Sequence, residues 1–281
     1  MTRFFAFSCL LLAACSGADV PDVQAGADTS AEGRYGLVVL SHAYGDPGVA
    51  VSGQFMAYTG YTRDSALHAL SSPEDAWLLQ TPPEPGRCRR VVANGVQASA
   101  SAAIDLLGAG PLSVRPPDPL DETPVELAPR SFPTVVFALS GVVYDTGAPQ
   151  DLPFMAGGTY RVQAPGGEVG EVFAEVRAPF GVRIVSHAGG VESGLTVRWS
   201  GEPSAVVVLS RDFGARTVGV LCAGEDGSAR VPSAALSALG SGTTQLVVAR
   251  AERVSTTISG LDEADVLFVS RDAVELRLES H

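Results

Sequence analysis

The sequence predicts an all-β protein in which two β-sandwich-like domains follow a cleaved lipoprotein signal peptide. From Arg34 onward, short apolar runs are interrupted roughly every eight to fifteen residues by Gly, Pro and Asp, which is typical of strands joined by turns. The chain holds 31 Gly and 19 Pro among its 281 residues, as an all-β protein rich in loops would. The N-terminus adds a separate targeting signal.

The first fourteen residues have the layout of a secretory signal. Arg3 supplies one positive charge, and an uncharged apolar run follows from residue 4 to residue 14. That run is too short to cross a bilayer as a helix. It ends in Leu12-Ala13-Ala14-Cys15, which resembles the lipobox of bacterial lipoproteins, whose cysteine thiol carries diacylglycerol. An ordinary signal peptide with an incidental Cys15 is the alternative.

Processing at this motif removes residues 1–14 and leaves Cys15 as a lipid-bearing N-terminus. Several acyl chains, at about 0.8 kcal/mol per buried methylene, make an effectively permanent membrane anchor. Ser16 follows the cysteine in place of Asp, which resembles Gram-negative lipoproteins sent to the outer membrane. We therefore expect a lipid-anchored cell-envelope protein that faces either the periplasm or the medium. Residues 15–33 are mostly small, polar or acidic and are expected to form a flexible tether.

Residues 34–179 are expected to form the first β-rich domain. The run Val135–Tyr144 is rich in β-branched and aromatic residues, as a buried strand should be. The predicted strands of this domain are Gly36–His42, Val49–Thr59, Ala76–Gln80, Val135–Tyr144, Thr159–Gln163 and Gly170–Arg177.

Residues 180–281 are expected to form an immunoglobulin-like or fibronectin-like sandwich, because about eight short strands in about a hundred residues match the size of such a domain. Leu195, Val197 and Trp199 alternate with polar residues, so Trp199 is expected to face a core between two sheets. One helical signal runs from residue 232 to residue 239. The predicted strands are Val182–His187, Leu195–Trp199, Ala205–Ser210, Thr217–Cys222, Thr244–Arg250, Val254–Ser259, Val266–Ser270 and Ala273–Leu278.

Five short phrases are spread over both predicted domains. They are Gly86–Cys88, Gly108–Val114, Ala156–Val162 with Pro165–Gly167, Leu195–Trp199 and Val231–Leu236. These phrases are similar to those of uncharacterised secreted β-sandwich proteins and lipoproteins of myxobacteria and similar high-GC bacteria. They are turns and core positions, so the resemblance implies a fold and a compartment but no activity.

The charge of the chain argues against a nucleic-acid partner. The formal net charge is −12, all nineteen basic residues are Arg, and loss of Arg3 with the signal peptide leaves −13. Such a surface repels the phosphate backbone, and the basic cluster of Arg87, Arg89 and Arg90 is too small to offset it. We expect the charge to serve solubility and expect no nucleic acid to bind.

Two cysteines, Cys88 and Cys222, remain in the folded part of the mature chain. In an oxidising compartment such a pair often forms a disulfide. A bridge between positions 134 apart would contribute on the order of 5 kcal/mol by loop entropy. Cys222 ends an apolar strand and Cys88 lies beside a Pro-rich turn, so two separate buried thiols are the alternative.

No motif in the sequence predicts an enzyme. Gly-x-Ser-x-Gly, the P-loop, the Gly-x-Gly-x-x-Gly fingerprint, His-Glu-x-x-His and Cys-x-x-Cys do not occur. The four histidines are widely spaced, and the acidic turns lack the spacing of calcium loops, so we expect no metal and no cofactor. We predict a non-enzymatic binding or structural module. The alternative is a hydrolase with an unrecognised site near His42 and His68.

Three aromatic residues, Phe55, Tyr58 and Tyr61, follow one another at a three-residue spacing. Exposed aromatic rings stack on sugars or anchor protein partners. These residues are therefore the candidate binding surface, with a carbohydrate or a protein as ligand, and packing of the three rings in the core is the alternative.

Overall fold

A computed structural model describes residues 32–94, 102–117, 123–131, 139–146, 152–214 and 216–279. Seventeen strands and three short helices lie within them, so the chain is predominantly β, as predicted. The helices are α1 (Arg63–Leu70), α2 (Pro73–Leu78) and α3 (Ser233–Leu236). The strands are β1 (Glu32–Ala43), β2 (Ala50–Thr59), β3 (Cys88–Asn94), β4 (Ala103–Leu106), β5 (Leu112–Arg115), β6 (Val125–Leu127), β7 (Arg130–Ser131), β8 (Leu139–Asp145), β9 (Thr159–Ala164), β10 (Val172–Arg177), β11 (Val182–Gly190), β12 (Gly194–Gly201), β13 (Ala205–Asp212), β14 (Arg216–Gly224), β15 (Ser228–Val231), β16 (Gly242–Thr256) and β17 (Glu263–Leu278).

The signal peptide, Cys15 and most of the predicted tether lie outside the described residues. The tether was expected to extend to residue 33, but β1 already begins at Glu32. Its backbone pairs with the end of β2, with Glu32 opposite Thr59, which draws these last two tether residues into the sheet. None of the helices within the described ranges is long and apolar enough to cross a bilayer.

Ten strands form one large main sheet in the order β3-β14-β13-β16-β17-β1-β2-β4-β8-β7. Its centre is the long antiparallel hairpin of β16 and β17. β1 runs parallel to β17, with Tyr35 opposite Glu263, and β13 runs antiparallel to β16. The main sheet therefore draws strands from both sides of residues 179 and 180. The division of the chain into two domains at that point stays a prediction.

Two smaller sheets cover one face of the main sheet. The first has the order β10-β9-β5-β6 and the second the order β11-β12-β15. Tyr160 and Val162 of the four-stranded sheet pack against Leu40 and Phe268 of the main sheet. Because neighbouring residues of a strand point to opposite faces, buried even-numbered residues of β1 and of the first half of β17, such as Val38 and Val266, line this core.

The three-stranded sheet encloses a separate core. Leu195, Val197 and Trp199 of β12 pack there against buried residues such as Val207 and Val248 of the main sheet. The predicted inward orientation of Trp199 is confirmed, since this side chain is buried. Its indole Nε1 donates to the carbonyl oxygen of Glu202 at 2.9 Å, which satisfies its polar atom.

The opposite face of the main sheet carries α1 and α2. Odd-numbered residues of the central strands, such as Leu37 and Leu267, pack there against Leu67 and Trp77. We call this side the helical face. The predicted helix over residues 232–239 corresponds to α3, which is shorter and belongs to the core beneath the three-stranded sheet.

The prediction of a strand at Ala76–Gln80 is wrong, because this segment lies in α2 and in the turn that follows it. Ser72 caps the helix, Pro73 occupies its first turn, and Glu74 and Asp75 follow, which are the residues that favour a helix start. An apolar run of this length, Ala76–Leu79, fits a buried helix as well as a strand.

Two pairs of predicted strands are single long strands in the structure. The runs on either side of Ala251–Arg253 belong to β16, and those on either side of Arg271–Asp272 belong to β17. Glu252 and Arg253 interrupt the apolar pattern of β16, as Arg271 and Asp272 do in β17. The backbone hydrogen bonds between the two strands nevertheless continue through these residues. Only residues 139–144 of the predicted strand Val135–Tyr144 are described, in β8.

Candidate anion-binding cleft on the helical face

α1 and α2 follow one another as a hairpin, which we call the α1–α2 hairpin. Each of the two helices begins with a side-chain cap. The Oγ1 of Thr62 accepts from the backbone N–H of Ser65 at 3.2 Å. The Oγ of Ser72 accepts from the N–H of Asp75 at 3.1 Å. Each cap satisfies a backbone donor that has no partner inside the first turn.

Polar contacts with two strands anchor α2 on the main sheet. Ser210 Oγ donates to Glu74 Oε1 at 2.6 Å. Arg271 Nη1 donates to Asp75 Oδ1 at 3.1 Å. Burial raises the pKa of Asp75 above its ordinary value, although the charge of Arg271 opposes that shift. These contacts fix α2 relative to β13 and β17.

Trp77 of α2 lies directly on a glycine of the main sheet. A Cβ atom added to Gly219 would lie 2.4 Å from Cζ3 of Trp77, far inside van der Waals contact. The ring therefore occupies the space that a side chain on β14 would need. This close approach sets the height of the α1–α2 hairpin above the sheet.

A cavity of about 350 Å³ opens between this hairpin and the edge of the main sheet. We call it the Arg89 cleft. α1 contributes one end, the residues after α2 contribute one wall, and β3 and β16 contribute the rest. The polar residues that line it are Arg63, Asp64, Ser65, His68, Gln80, Thr81, Arg89 and Arg253.

Arg89 differs from the other two arginines of the cleft in its pairing. Arg63 forms salt bridges with Glu263 and Asp64, and Arg253 pairs with Asp265. Arg89 donates from Nη2 to the side-chain oxygen of Gln80 at 3.1 Å. Its Nε is buried and has no hydrogen-bond partner among the described residues. Burial lowers its pKa, which no described carboxylate offsets.

His68 faces the same cleft from the last turn of α1. Its ring meets Trp77 edge-on, with the ring centroids 6.1 Å apart. Nδ1 is buried without a hydrogen-bond partner in the described part of the chain. Burial lowers the pKa of His68 below 6.5, although Asp64 and Glu74 oppose the shift, so the ring is neutral at pH 7.

Phe55, Tyr58 and Tyr61, the predicted binding surface, do not form an exposed surface in the structure. Phe55 is 1% exposed and lies in the core under the four-stranded sheet. Tyr61 is 5% exposed and lies in the core of the helical face, against which the half-buried Tyr58 packs. Phe55 and Tyr58 point to opposite faces because their separation along β2 is odd. Core packing therefore accounts for these rings.

The two histidines near which a hydrolase site was considered lie on opposite faces of the main sheet. His42 is 9% exposed, and its ring stacks on Phe154 with the centroids 3.7 Å apart. Its Nε2 lies 3.2 Å from the carbonyl oxygen of Asp46. Burial lowers the pKa of His42, although this contact opposes the shift. The structure does not bring His42 and His68 together.

Cys88 and Cys222 are joined by a disulfide between directly opposite residues of β3 and β14, with their Cα atoms 4.1 Å apart. The bridge fastens the edge strand that carries Arg89. Cys15, the predicted lipidation site, lies outside the described residues. In the ranges that the structure describes, no cluster of three or more His, Cys, Asp or Glu side chains could hold a metal ion.

Sequence reasoning missed the Arg89 cleft. The signal that the sequence offers for it is the basic cluster of Arg87, Arg89 and Arg90 beside Cys88. Trp77 and Gln80 were assigned to a strand, so their place above β3 could not be foreseen. No protein-family model matches the chain, and neither a curated protein nor a solved structure is significantly similar to it.

Proposed function

We propose that this protein is a lipid-anchored, non-enzymatic protein of the cell envelope that binds a small anionic ligand in the Arg89 cleft. One observation carries the proposal. The guanidinium of Arg89 is half-buried and has an amide oxygen, but no described carboxylate, as partner. Taking a charge out of water without a counter-charge costs free energy. A bound anion supplies the missing partner.

The rest of the lining suits an anion of low charge. Arg63 is paired with Glu263 and with Asp64, and Arg253 is paired with Asp265, so Arg89 is the one arginine of the cleft without a described carboxylate partner. His68 and the hydroxyl of Thr81 are neutral groups that can donate hydrogen bonds to an oxyanion. A planar guanidinium matches a carboxylate in a two-point contact.

The proposed location rests on the motif Leu12-Ala13-Ala14-Cys15 and on the tether that follows it. We also propose that residues 180–281 form an immunoglobulin-like sandwich, one strand of which, β16, contributes Arg253 to the cleft. Intact mass spectrometry of the protein from its native membrane tests the anchor. Cleavage before Cys15 with added acyl chains is expected, and an unlipidated mass would contradict the proposed location.

Ligand-dependent thermal unfolding tests the anion site. A chain of residues 16–281 keeps every described residue, and acetate, phosphate and sulfate are added at constant ionic strength. A ligand that binds the folded state alone raises Tm. We expect acetate to raise Tm of the parent chain more than that of Arg89→Gln.

Arg87→Gln is the matched control, because Arg87 is exposed, lies on the same segment and does not line the cleft. It removes the same charge and should keep the response to acetate. Salts such as sulfate also stabilise folded proteins by exclusion from their surface, an effect common to all three chains. Equal responses of the parent chain and Arg89→Gln to every anion would contradict the proposal.

A further inference from the structure

We infer that the ligand is an amphiphile, with one carboxylate at Arg89 and an apolar chain of medium length that extends from the Arg89 cleft along the main sheet. This inference rests on the proposed function and specifies the ligand class of the same site. The apolar surroundings next to the cleft carry it.

A second cavity, of about 250 Å³, adjoins the cleft on the helical face. The two share the lining residues Trp77, Leu79, Gln80, Thr81 and Arg253, so they lie side by side. The second cavity is lined mainly by carbon. A ligand group that enters it leaves water for an apolar environment, which favours a hydrocarbon chain.

A third, more open groove of about 280 Å³ continues from the second cavity. These two share Pro82, Val206 and Ala251. The polar Arg89 cleft, the apolar second cavity and the apolar groove therefore follow one another beside the segment from Gln80 to Pro85. The order matches a molecule with a charged head and an apolar tail.

The charges of the cleft favour a single negative charge on the head. Of the three arginines that line the cleft, only Arg89 lacks a described carboxylate partner, while Asp64, Glu263 and Asp265 offset the charges of Arg63 and Arg253. A doubly charged phosphate would bring one charge more than Arg89 balances, in a chain whose net charge is −12. A carboxylate fits this balance.

The volume of the second cavity indicates the length of tail that would fill it before the tail reaches the open groove. About 250 Å³ equals the space of about eight waters at ~30 Å³ each. A methylene group is of similar size, so a tail of up to about that many carbons fills the cavity. Octanoate is therefore the probe of choice, and acetate is its head group alone.

Calorimetric titration of residues 16–281 with acetate, butyrate, hexanoate, octanoate and octanol tests the inference. We expect affinity to rise roughly fourfold for each added methylene. Arg89→Gln should weaken octanoate at least tenfold and leave octanol unchanged. Arg89→Lys, which keeps the charge, should retain part of the affinity, and circular dichroism establishes that each variant is folded.

A second variant fills the apolar cavity and leaves the head-group site intact. Ala251 is half-buried on β16 and lines both apolar spaces. Ala251→Leu should reduce the affinity for octanoate towards that for acetate, and should leave acetate binding as in the parent chain. Arg87→Gln should bind octanoate as the parent chain does.

Different outcomes overturn the two proposals. If acetate binds as tightly as octanoate and Arg89→Gln weakens both, the inference of an amphiphilic ligand is wrong and the proposed anion site stands. If octanol binds as tightly as octanoate in the parent chain and in Arg89→Gln, the cleft is purely apolar and the proposed function fails. Absence of binding by every probe overturns both.

Discussion

The hydroxyl of Tyr35 donates a hydrogen bond to Oδ2 of Asp265, across the parallel pair of β1 and β17. Arg253 donates to both oxygens of the same carboxylate at 2.7 and 2.8 Å, and Ser255 donates to Oδ1 at 2.7 Å. Burial acts to raise the pKa of Asp265, but these hydrogen bonds outweigh it and hold the pKa below its ordinary value. A fully bonded carboxylate thus links strands from the two ends of the described chain.

Removal of the Tyr35 hydroxyl should destabilise the protein measurably. Hydrogen bonds to charged groups contribute about 1.5–3 kcal/mol, so Tyr35→Phe should lower the free energy of unfolding by about that amount. Urea denaturation measures the change. Tyr44→Phe is the control, because Tyr44 is half-exposed and its variant should stay within about 0.5 kcal/mol of the parent chain. Equal stability of the two variants would count against the role of this bond.

A methyl group on Gly219 should displace the ring of Trp77. Overpacking of a well-packed core costs about 1–3 kcal/mol, and Gly219→Ala should destabilise the protein by that amount. At Gly181 the nearest atom to an added Cβ is Ser270 Oγ at 4.0 Å, so Gly181→Ala is the matched control. Thermal unfolding compares the two. The close approach of Trp77 to β14 would be refuted if both variants unfolded at the same temperature.

Loss of the disulfide should release the edge strand β3. The bridge joins residues 134 positions apart, and removal of a native disulfide costs about 2–5 kcal/mol. Cys88→Ala should lower the free energy of unfolding by that amount in urea. Reductant should destabilise the parent chain to the same level and leave the variant unchanged. Thiol labelling verifies that the parent chain is fully reduced. This prediction would be contradicted if the reduced parent chain were as stable as the oxidised one.

Stability should fall as pH decreases below neutrality. Burial holds the pKa values of His42 and His68 below 6.5, so the unfolded chain binds protons that the folded chain does not between these values and 6.5. The stabilising contribution is present above about pH 6.5 and is lost as pH falls towards the lower pKa of the folded state. Urea denaturation at about pH 7.5, 6.5 and 5.5 measures this slope.

The variant His42→Gln with His68→Gln should flatten that pH dependence. Its stability should change less between about pH 7.5 and 5.5 than that of the parent chain. His187, which is exposed on β11, is the control, and His187→Gln should keep the original slope. An unchanged slope in the double variant would show that the two buried rings do not cause it.

Most strands of the fold could be predicted because alternation of apolar residues and turn-forming Gly and Pro are local properties. Gly36–His42 lies within β1, Thr159–Gln163 within β9 and Leu195–Trp199 within β12. The same reasoning assigned Ala76–Gln80 to a strand, since a short apolar run does not distinguish a strand from a buried helix. With Ala76–Gln80 assigned to a strand, the Arg89 cleft could not be predicted, because Trp77 and Gln80 form part of its wall.

The chain's own pattern was sufficient to predict the all-β class and the inward orientation of Trp199. The signal peptide over residues 1–14, with lipidation at Cys15, stays a prediction from the sequence. Tertiary contacts alone established that β1 joins β17 in the main sheet, that Phe55 and Tyr61 are core residues, and that Arg89 and His68 line one cleft. The physical reason is sequence separation. The pairing of β1 with β17 joins residues more than two hundred positions apart, and the walls of the cleft come from several separate segments, so these contacts leave no trace in a local pattern.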